Sequence, residues 1–326
     1  MLPESRDIRG RTGMHIVVLD DYQNVAADFA NWQELGAEVE FVSRPIHDTE
    51  DLVQTVDGAE VVVAMRERTL FSAERLAQLR DLKLLVTTGR VNASIDLDAA
   101  RAQGITVCGT ESTTSATPEL TWGLILSVLR SIPTEDAAMH SGGWQSTVGG
   151  DLFGHRLGII GLGRLGTQVA RVGAAFGMDV VAWSQNLDEE RAADVGAHAV
   201  SKEELFSTSD VVTVHYKLSE RSRLLVAAKE LSLMKPNSIF INTSRAGLVD
   251  MEALQDALAA GRIRGAGIDV YDLEPLPHDH ALRSTPRTVL TPHLGYVTED
   301  TYRIFFTQTV ENIAAWMAGE PVRLLT

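Results

Sequence analysis

The 326-residue chain is 44% hydrophobic with mean hydropathy near zero, the balance of a soluble globular protein long enough for two domains. Its net charge of −15 disfavours nucleic acid or an anionic membrane as partner, and no apolar run is long enough to cross a bilayer. The single cysteine, Cys108, excludes an intrachain disulfide and fits a reducing, cytoplasmic setting. Cys108 closes an apolar run with Ile105 and Val107, so it reads as core and not as a nucleophile.

Residues 1–13 (MLPESRDIRGRTG) are charged, lack the apolar middle of a signal peptide, and read as a flexible extension. Strands are then expected at 14–20, 39–42, 59–65, 82–88 and 105–108. Helices are expected around Leu52 and Val56, from the cap Ser72 to Leu79, and over 96–102. This alternation predicts a parallel, doubly wound sheet. The loop after the fourth strand reads Gly89-Arg90-Val91-Asn92. Pro118 opens a long helix over 119–131, apolar nearly all round, and Pro133 ends it. Such a helix is expected to be buried between domains or at a subunit contact. The stretch 141–151 (SGGWQSTVGGD) is irregular, and its Trp144 needs a cover.

The middle of the chain is organised around 158–185. An apolar strand at 157–160 runs into Gly161-Leu162-Gly163-Arg164-Leu165-Gly166. A helix follows with Leu165, Val169, Val172 and Phe176 on one face and Gly177 as its stop, and 180–183 forms the next strand. In such a unit the first glycine permits the turn, the second lets backbone approach a pyrophosphate, and the third lets the helix pack on the strand. The helix N-terminus offers its free N–H groups to the phosphates. This is a dinucleotide site, and Gly161, Gly163, Arg164, Leu165, Gly166, Ser184, Thr243 and Asp269 make up the expected cofactor-binding set. Further strands are expected at 210–215, 238–243, 265–271 and 288–291. Helices are expected behind a Ser201–Glu204 capping box, from the cap Asp250 to Ala260, and over 299–317.

Ligands of open α/β sheets bind outside the carboxyl ends of the strands. Arg245, Glu274 and His293 all stand just beyond such ends. The ordered motifs GLGRLG, INTSRAGLVD, GAGIDVYDLEPLP and LTPHLGY resemble those of the D-isomer-specific 2-hydroxyacid dehydrogenase family, over nearly the whole chain from Met14. The resemblance implies two doubly wound, Rossmann-like parallel-sheet domains with an interdomain cleft. A substrate domain would span 14–117 completed by 296–326, and a dinucleotide-binding domain 118–295. It also implies a homodimer, NAD (with NADP as an option) as cofactor, and Arg245, Glu274 and His293 as the catalytic residues. The substrate carboxylate would be held by the loop of Gly89, Arg90, Val91 and Asn92 together with Arg245.

Elementary chemistry fits these roles. A histidine titrates near neutrality and can move the hydroxyl proton in either direction. A carboxylate such as Glu274 orients the imidazole. An arginine fork can grip a carboxylate while polarising the adjacent carbonyl. The expected activity is hydride transfer between nicotinamide and a small D-2-hydroxy or 2-oxo acid of the glyoxylate or hydroxypyruvate type. The alternatives are a formate- or phosphite-oxidising relative, whose formate version Glu274 disfavours, and a non-catalytic dinucleotide-sensing corepressor. No metal is expected, since His278-Asp279-His280 lacks a third ligand. Arg66, Glu67 and Arg68 line either a substrate entrance or a solvated loop. Two features depart from the family's usual pattern. Ser184 stands where NAD-selective folds carry a ribose-binding carboxylate, and Arg90 and Glu111 occupy loops that often hold small residues.

Overall fold

The computed structural model describes residues 13–326; residues 1–12, most of the extension expected at the amino terminus, lie outside the described residues. The chain opens with β1 (His15–Val18), β2 (Glu38–Phe41), α1 (Thr49–Thr55), β3 (Val61–Ala64), α2 (Ala73–Leu76), β4 (Leu84–Thr87), α3 (Leu97–Ala102) and β5 (Thr106–Cys108). It continues through α4 (Ala116–Leu129), α5 (Ile132–His140), β6 (Arg156–Ile160), α6 (Arg164–Ala175), β7 (Asp179–Trp183), α7 (Glu189–Ala193), β8 (His198–Ala199), α8 (Lys202–Thr208) and β9 (Val211–Val214). The last elements are α9 (Ala228–Leu233), β10 (Ile239–Asn242), α10 (Met251–Ala259), β11 (Gly265–Ile268), β12 (Thr288–Leu290) and α11 (Glu299–Met317).

Two compact units result: residues up to Thr113 together with Thr298–Thr326, and Thr114–Val297. The first holds a five-stranded parallel sheet in the order β2-β1-β3-β4-β5. Its central strands are buried at every position, and apolar apart from His15 and Thr87, because helices cover both faces. Asp48, Ser72 and Asp96 each accept an N–H from the first turn of the helix they precede, which fixes where α1, α2 and α3 begin. Cys108 is buried, and burial pushes its thiol up to about 11 against the pull of Arg323. That is the environment of an inert core cysteine.

The second unit holds seven parallel strands in the order β12-β11-β10-β9-β6-β7-β8. Chain order reverses between β6 and β9, and this is the switch point at which a doubly wound sheet opens a crevice. Both units are thus Rossmann-like α/β layers. Among the described residues no helix is long and apolar enough to cross a membrane.

Three expectations are corrected here. The all-round apolar α4 is buried within its own unit: Leu124, Ile125, Val128 and Leu129 join the core formed with Leu157, Val169 and Ile241. It lies so close to β11 that a Cβ on Gly267 would stand 3.0 Å from that of Leu124. Pro133 does not close a helix but sits in the first turn of α5, after Ser131 turns the chain with φ 52°. Proline suits that position because the first-turn N–H groups have no helical acceptor. On α6 the buried stripe is Gly166, Val169, Ala170 and Gly173, while Val172 and Phe176 are each 39% exposed. Helix and sheet approach too closely for larger residues, since a Cβ on Gly173 would lie 2.5 Å from Leu157 Cδ2.

Candidate active site

The glycine loop follows β6 at the switch point, and each glycine meets a different constraint. Gly161 has φ 98°, and a Cβ there would stand 2.5 Å from the His215 carbonyl oxygen after β9. A Cβ on Gly166 would lie 2.1 Å from the carbonyl oxygen of Gly161, so the third glycine is what seats α6 on the turn. Gly163 is different, because a Cβ there would meet nothing within 4 Å. Its bareness answers no need of the fold and leaves room for a close ligand. The N–H groups of Gly163, Arg164 and Leu165 have no acceptor among the described residues, and α6 has no side-chain N-cap. A positive helix end with free donors and open space above it fits a pyrophosphate.

Ser184 lies at the end of β7, where its hydroxyl accepts the Leu162 N–H at 3.1 Å and so ties the glycine loop to that strand. The carboxylates that follow are engaged locally. Asp188 accepts the Arg191 N–H at 2.9 Å to cap α7, and Glu189 meets His198 Nδ1 at 3.0 Å and the Ala199 N–H at 2.8 Å. Trp183 and Tyr216 stack at the ends of β7 and β9, with ring centroids 6.0 Å apart. Nothing in the residue pattern brings these two rings together, since only the strand order makes them neighbours. Thr243 is buried, its hydroxyl 2.8 Å from that of Thr121.

The chain leaves the sheet at Asp269, earlier than the expected strand over 265–271. Asp269 is fully buried and accepts from Thr291 Oγ1 at 2.7 Å and from the N–H groups of Leu294 at 2.7 Å and Gly295 at 3.0 Å. It therefore anchors the turn that carries His293, a function its place in the cofactor set does not convey. Burial raises its pKa, and the Thr291 hydroxyl, the Leu294 N–H and the nearby His293 oppose the rise.

His293 occupies the left-handed region with φ 53°. Its Nδ1 is 2.6 Å from Glu274 Oε2, and the other oxygen of Glu274 accepts the Tyr271 N–H at 2.9 Å. An ionised carboxylate only accepts, so Nδ1 carries the proton of this contact and Nε2 is left available to a ligand. Nε2 has no partner among the described residues, and Tyr296 meets the ring edge-on at 5.4 Å. Arg245 follows β10, where the Asn242 side chain brackets the turn by donating to the Arg245 carbonyl at 3.1 Å and accepting the Ser244 N–H at 3.0 Å. Glu274 and His293 are in direct contact, and Arg245 stands at the same carboxyl edge of the sheet. His280, from the motif that resembles a metal ligand pair, instead accepts the Leu282 N–H at 3.2 Å.

In the first unit the loop of Gly89, Arg90, Val91 and Asn92 follows β4. Gly89 has φ 92° and is covered by Arg66, whose Nη1 lies 1.7 Å from where a Cβ would stand. Arg66 donates its backbone N–H to Thr88 Oγ1 at 2.9 Å and its Nη1 to the Thr88 carbonyl at 3.2 Å. Asn92 Nδ2 closes the turn on the Arg66 carbonyl at 2.5 Å. The N–H groups of Arg90 and Val91 have no acceptor among the described residues, so the loop can receive an anion.

Residues 122–295 match the model of the D-isomer specific 2-hydroxyacid dehydrogenase NAD binding domain. The chain belongs to that family. It is 34% identical over 275 residues to D-3-phosphoglycerate dehydrogenase of Methanocaldococcus jannaschii, covering 83% of this chain and 52% of that protein. It is 34% identical over 255 residues to glyoxylate reductase of Aeropyrum pernix, covering 75% and 76%. Among solved structures, phosphoglycerate oxidoreductase from Vibrio cholerae superposes with a TM-score of 0.89 at 35% identity, covering 94% of this chain and all of that one. The chain spans about half the length of the curated phosphoglycerate dehydrogenases it matches.

The three glycines differ in a way that can be measured. Gly163→Ala should leave the melting temperature unchanged and weaken NADH binding, because the added methyl enters only the ligand's space. Gly166→Ala should cost about 1–3 kcal/mol of stability through overpacking and so lower the melting temperature. Calorimetric melts with and without NADH check both, and equal melting losses for the two variants would contradict the assignment.

Proposed function

We propose that this chain reduces small 2-oxo acids, and oxidises the corresponding D-2-hydroxy acids, with His293 as the acid/base. The contact that carries this reading is Glu274 Oε2 on His293 Nδ1 at 2.6 Å, which leaves Nε2 to face a reacting oxygen. Nicotinamide, when bound, supplies or accepts the hydride. His293 gives its Nε2 proton to the carbonyl oxygen in reduction and takes it back in oxidation. Glu274 stabilises the imidazolium in between. Arg245 would bind the substrate carboxylate and polarise the carbonyl. Relatives named glyoxylate reductase and D-3-phosphoglycerate dehydrogenase are consistent with this substrate class.

We further propose a homodimer in which a second copy covers the arm after α4. No residue of α5 is buried, and Trp144, Val148 and Phe153 beyond it are 72%, 92% and 81% exposed. An apolar stretch of this kind marks a protein contact, and a two-fold pairing would bury the same arm on both copies. Light scattering should report a dimer that Trp144→Ser with Val148→Ser dissociates. A monomeric wild type overturns this.

His293→Ala should leave NADH affinity intact and lower kcat by about 10²–10⁴. Glu274→Gln removes the carboxylate that holds the Nδ1 proton and orients the ring, so kcat should fall while NADH affinity stays intact. Stopped-flow and steady-state rates test both, and an unchanged kcat removes Glu274 from this role.

Cofactor choice should be loose. Ser184 brings no carboxylate to repel a 2′-phosphate, and Asp188 and Glu189 are held within local structure. NADH and NADPH should give kcat/KM values within roughly a hundredfold, about 3 kcal/mol. Ser184→Asp should then make the enzyme distinctly NAD-selective, and an unchanged preference would show that other residues read the ribose.

A further inference from the structure

The turn that carries His293 is gripped from two sides. From the end of β11, the Asp269 side chain takes the N–H groups of Leu294 and Gly295 at 2.7 and 3.0 Å. From the first turn of α4, the Thr117 hydroxyl donates to the Gly295 carbonyl at 2.7 Å. Gly295 is buried, and this is the one hydrogen bond its carbonyl accepts among the described residues. The fit is tight, since a Cβ on Gly295 would stand 3.2 Å from Asp269 Oδ2 and 3.3 Å from Thr117 Oγ1. Both ends of the residue are therefore clamped, one by a carboxylate and the other by a hydroxyl.

Thr117 is itself held firmly. The Thr121 hydroxyl, one turn further along α4, donates to the Thr117 carbonyl at 2.8 Å and lies 2.8 Å from Thr243 Oγ1 beyond β10. A hydroxyl has one proton, so the Thr243 O–H donates in that second contact. The amino end of α4 thus reaches both the turn after β12 and the end of β10, two residues before Arg245. The helix does not need these bonds to stay in place, because Leu124, Ile125, Val128 and Leu129 already fix it in the core. What the Thr117 bond adds is the orientation of the peptide between Gly295 and Tyr296. Tyr296 is the ring that meets His293 edge-on at 5.4 Å.

We propose that Thr117 is a positioning residue for the acid/base: it fixes the Gly295–Tyr296 peptide and, through it, the His293 ring against Glu274. This rests on the reading above that His293 moves the proton. With valine in place of Thr117, the shape is kept and the O–H is lost. The Gly295 carbonyl is then buried without a donor, and that cost drives the peptide to rotate until it finds another. Rotation draws Tyr296 away from the imidazole, so the 2.6 Å contact of Nδ1 with Glu274 loses part of its restraint. Asp269 cannot compensate, because both its oxygens already accept N–H or O–H groups.

The test compares wild type, Thr117→Val and Thr117→Ser, with His293→Ala as the reference for loss of the acid/base. Steady-state kcat is measured with glyoxylate and hydroxypyruvate, and NADH affinity by calorimetry. The imidazole is followed by ¹⁵N magnetic resonance of histidine-labelled protein, with His293→Ala identifying its signals. Thr117→Val should keep its melting temperature and NADH affinity near wild type. Its kcat should fall by about tenfold to a hundredfold, the cost of misplacing a reacting group by about 1 Å. Its His293 signals should change from the single Nδ1–H tautomer to a mixture. Thr117→Ser keeps the hydroxyl and should restore both. In a wild type that turns over, an unmoved kcat or unmoved His293 signals in Thr117→Val overturn the proposal, and so does a serine variant no better than valine. A valine variant whose kcat loss tracks its unfolded fraction also overturns it, since Thr117 then serves stability alone. Wild-type turnover that survives His293→Ala, or no turnover at all, sinks the catalytic reading, and the His293 signals alone then decide whether Thr117 positions the ring.

Discussion

A buried carboxylate holds the candidate site in shape. Asp269 is fully buried where the chain leaves β11, and its three donors all belong to the turn around His293. A carboxylate in the interior is tolerated only when it is hydrogen-bonded, and these donors meet that condition. In return they fix a turn in which His293 adopts φ 53°, a conformation that non-glycine residues take only when their surroundings impose it. Without the Asp269 side chain, the Leu294 and Gly295 N–H groups would each be left unpaired at a cost of about 1–3 kcal/mol. The imidazole would also lose the restraint that keeps it on Glu274. The other oxygen of Glu274 accepts the Tyr271 N–H, so the carboxylate has an anchor besides the histidine it orients.

The parallel sheet turns this local restraint into a working layout. Every strand of the second unit points the same way, so the glycine loop after β6, Arg245 after β10, Asp269 after β11 and the His293 turn after β12 all emerge along one edge. Neighbouring strands lie roughly 4.8 Å apart, which spreads these groups along the sheet. In the proposed function, phosphate recognition and proton transfer thereby belong to different strands. Each can be tuned without disturbing the other.

Much of this was legible in the sequence, because parallel strands buried on both faces are continuous apolar runs and the residues just after them are the ones that open onto ligand. The glycine loop, Arg245, Glu274 and His293 all stand out on that rule. The limits are equally physical. Pro133 looks like a helix terminator, yet a proline ends one helix and begins the next with the same lack of an N–H, and only the turn at Ser131 distinguishes the two. The larger apolar residues of α6 suggest the wrong buried face, because the fit against the sheet selects for small residues. Asp269 carried a signal of its own, a carboxylate inside the apolar run GAGIDVY, but its partners lie more than twenty residues on and no local pattern names them. The pairing of Arg90 with Glu111 likewise depends on β4 and β5 being neighbours.

Ser184 serves the structure at a position where the proposed function also places cofactor selectivity. Its hydroxyl accepts the Leu162 N–H and so holds the glycine loop in place. A carboxylate at the same position can accept that N–H too, and an ionised acceptor makes the stronger bond. The loop therefore requires an acceptor at the end of β7, and either an alcohol or an acid meets the requirement. What differs is charge, which the Leu162 N–H tolerates either way and which, in the proposed function, a 2′-phosphate would sense. Because the structural demand is satisfied by both residues, the choice between them is free to be made by the cofactor.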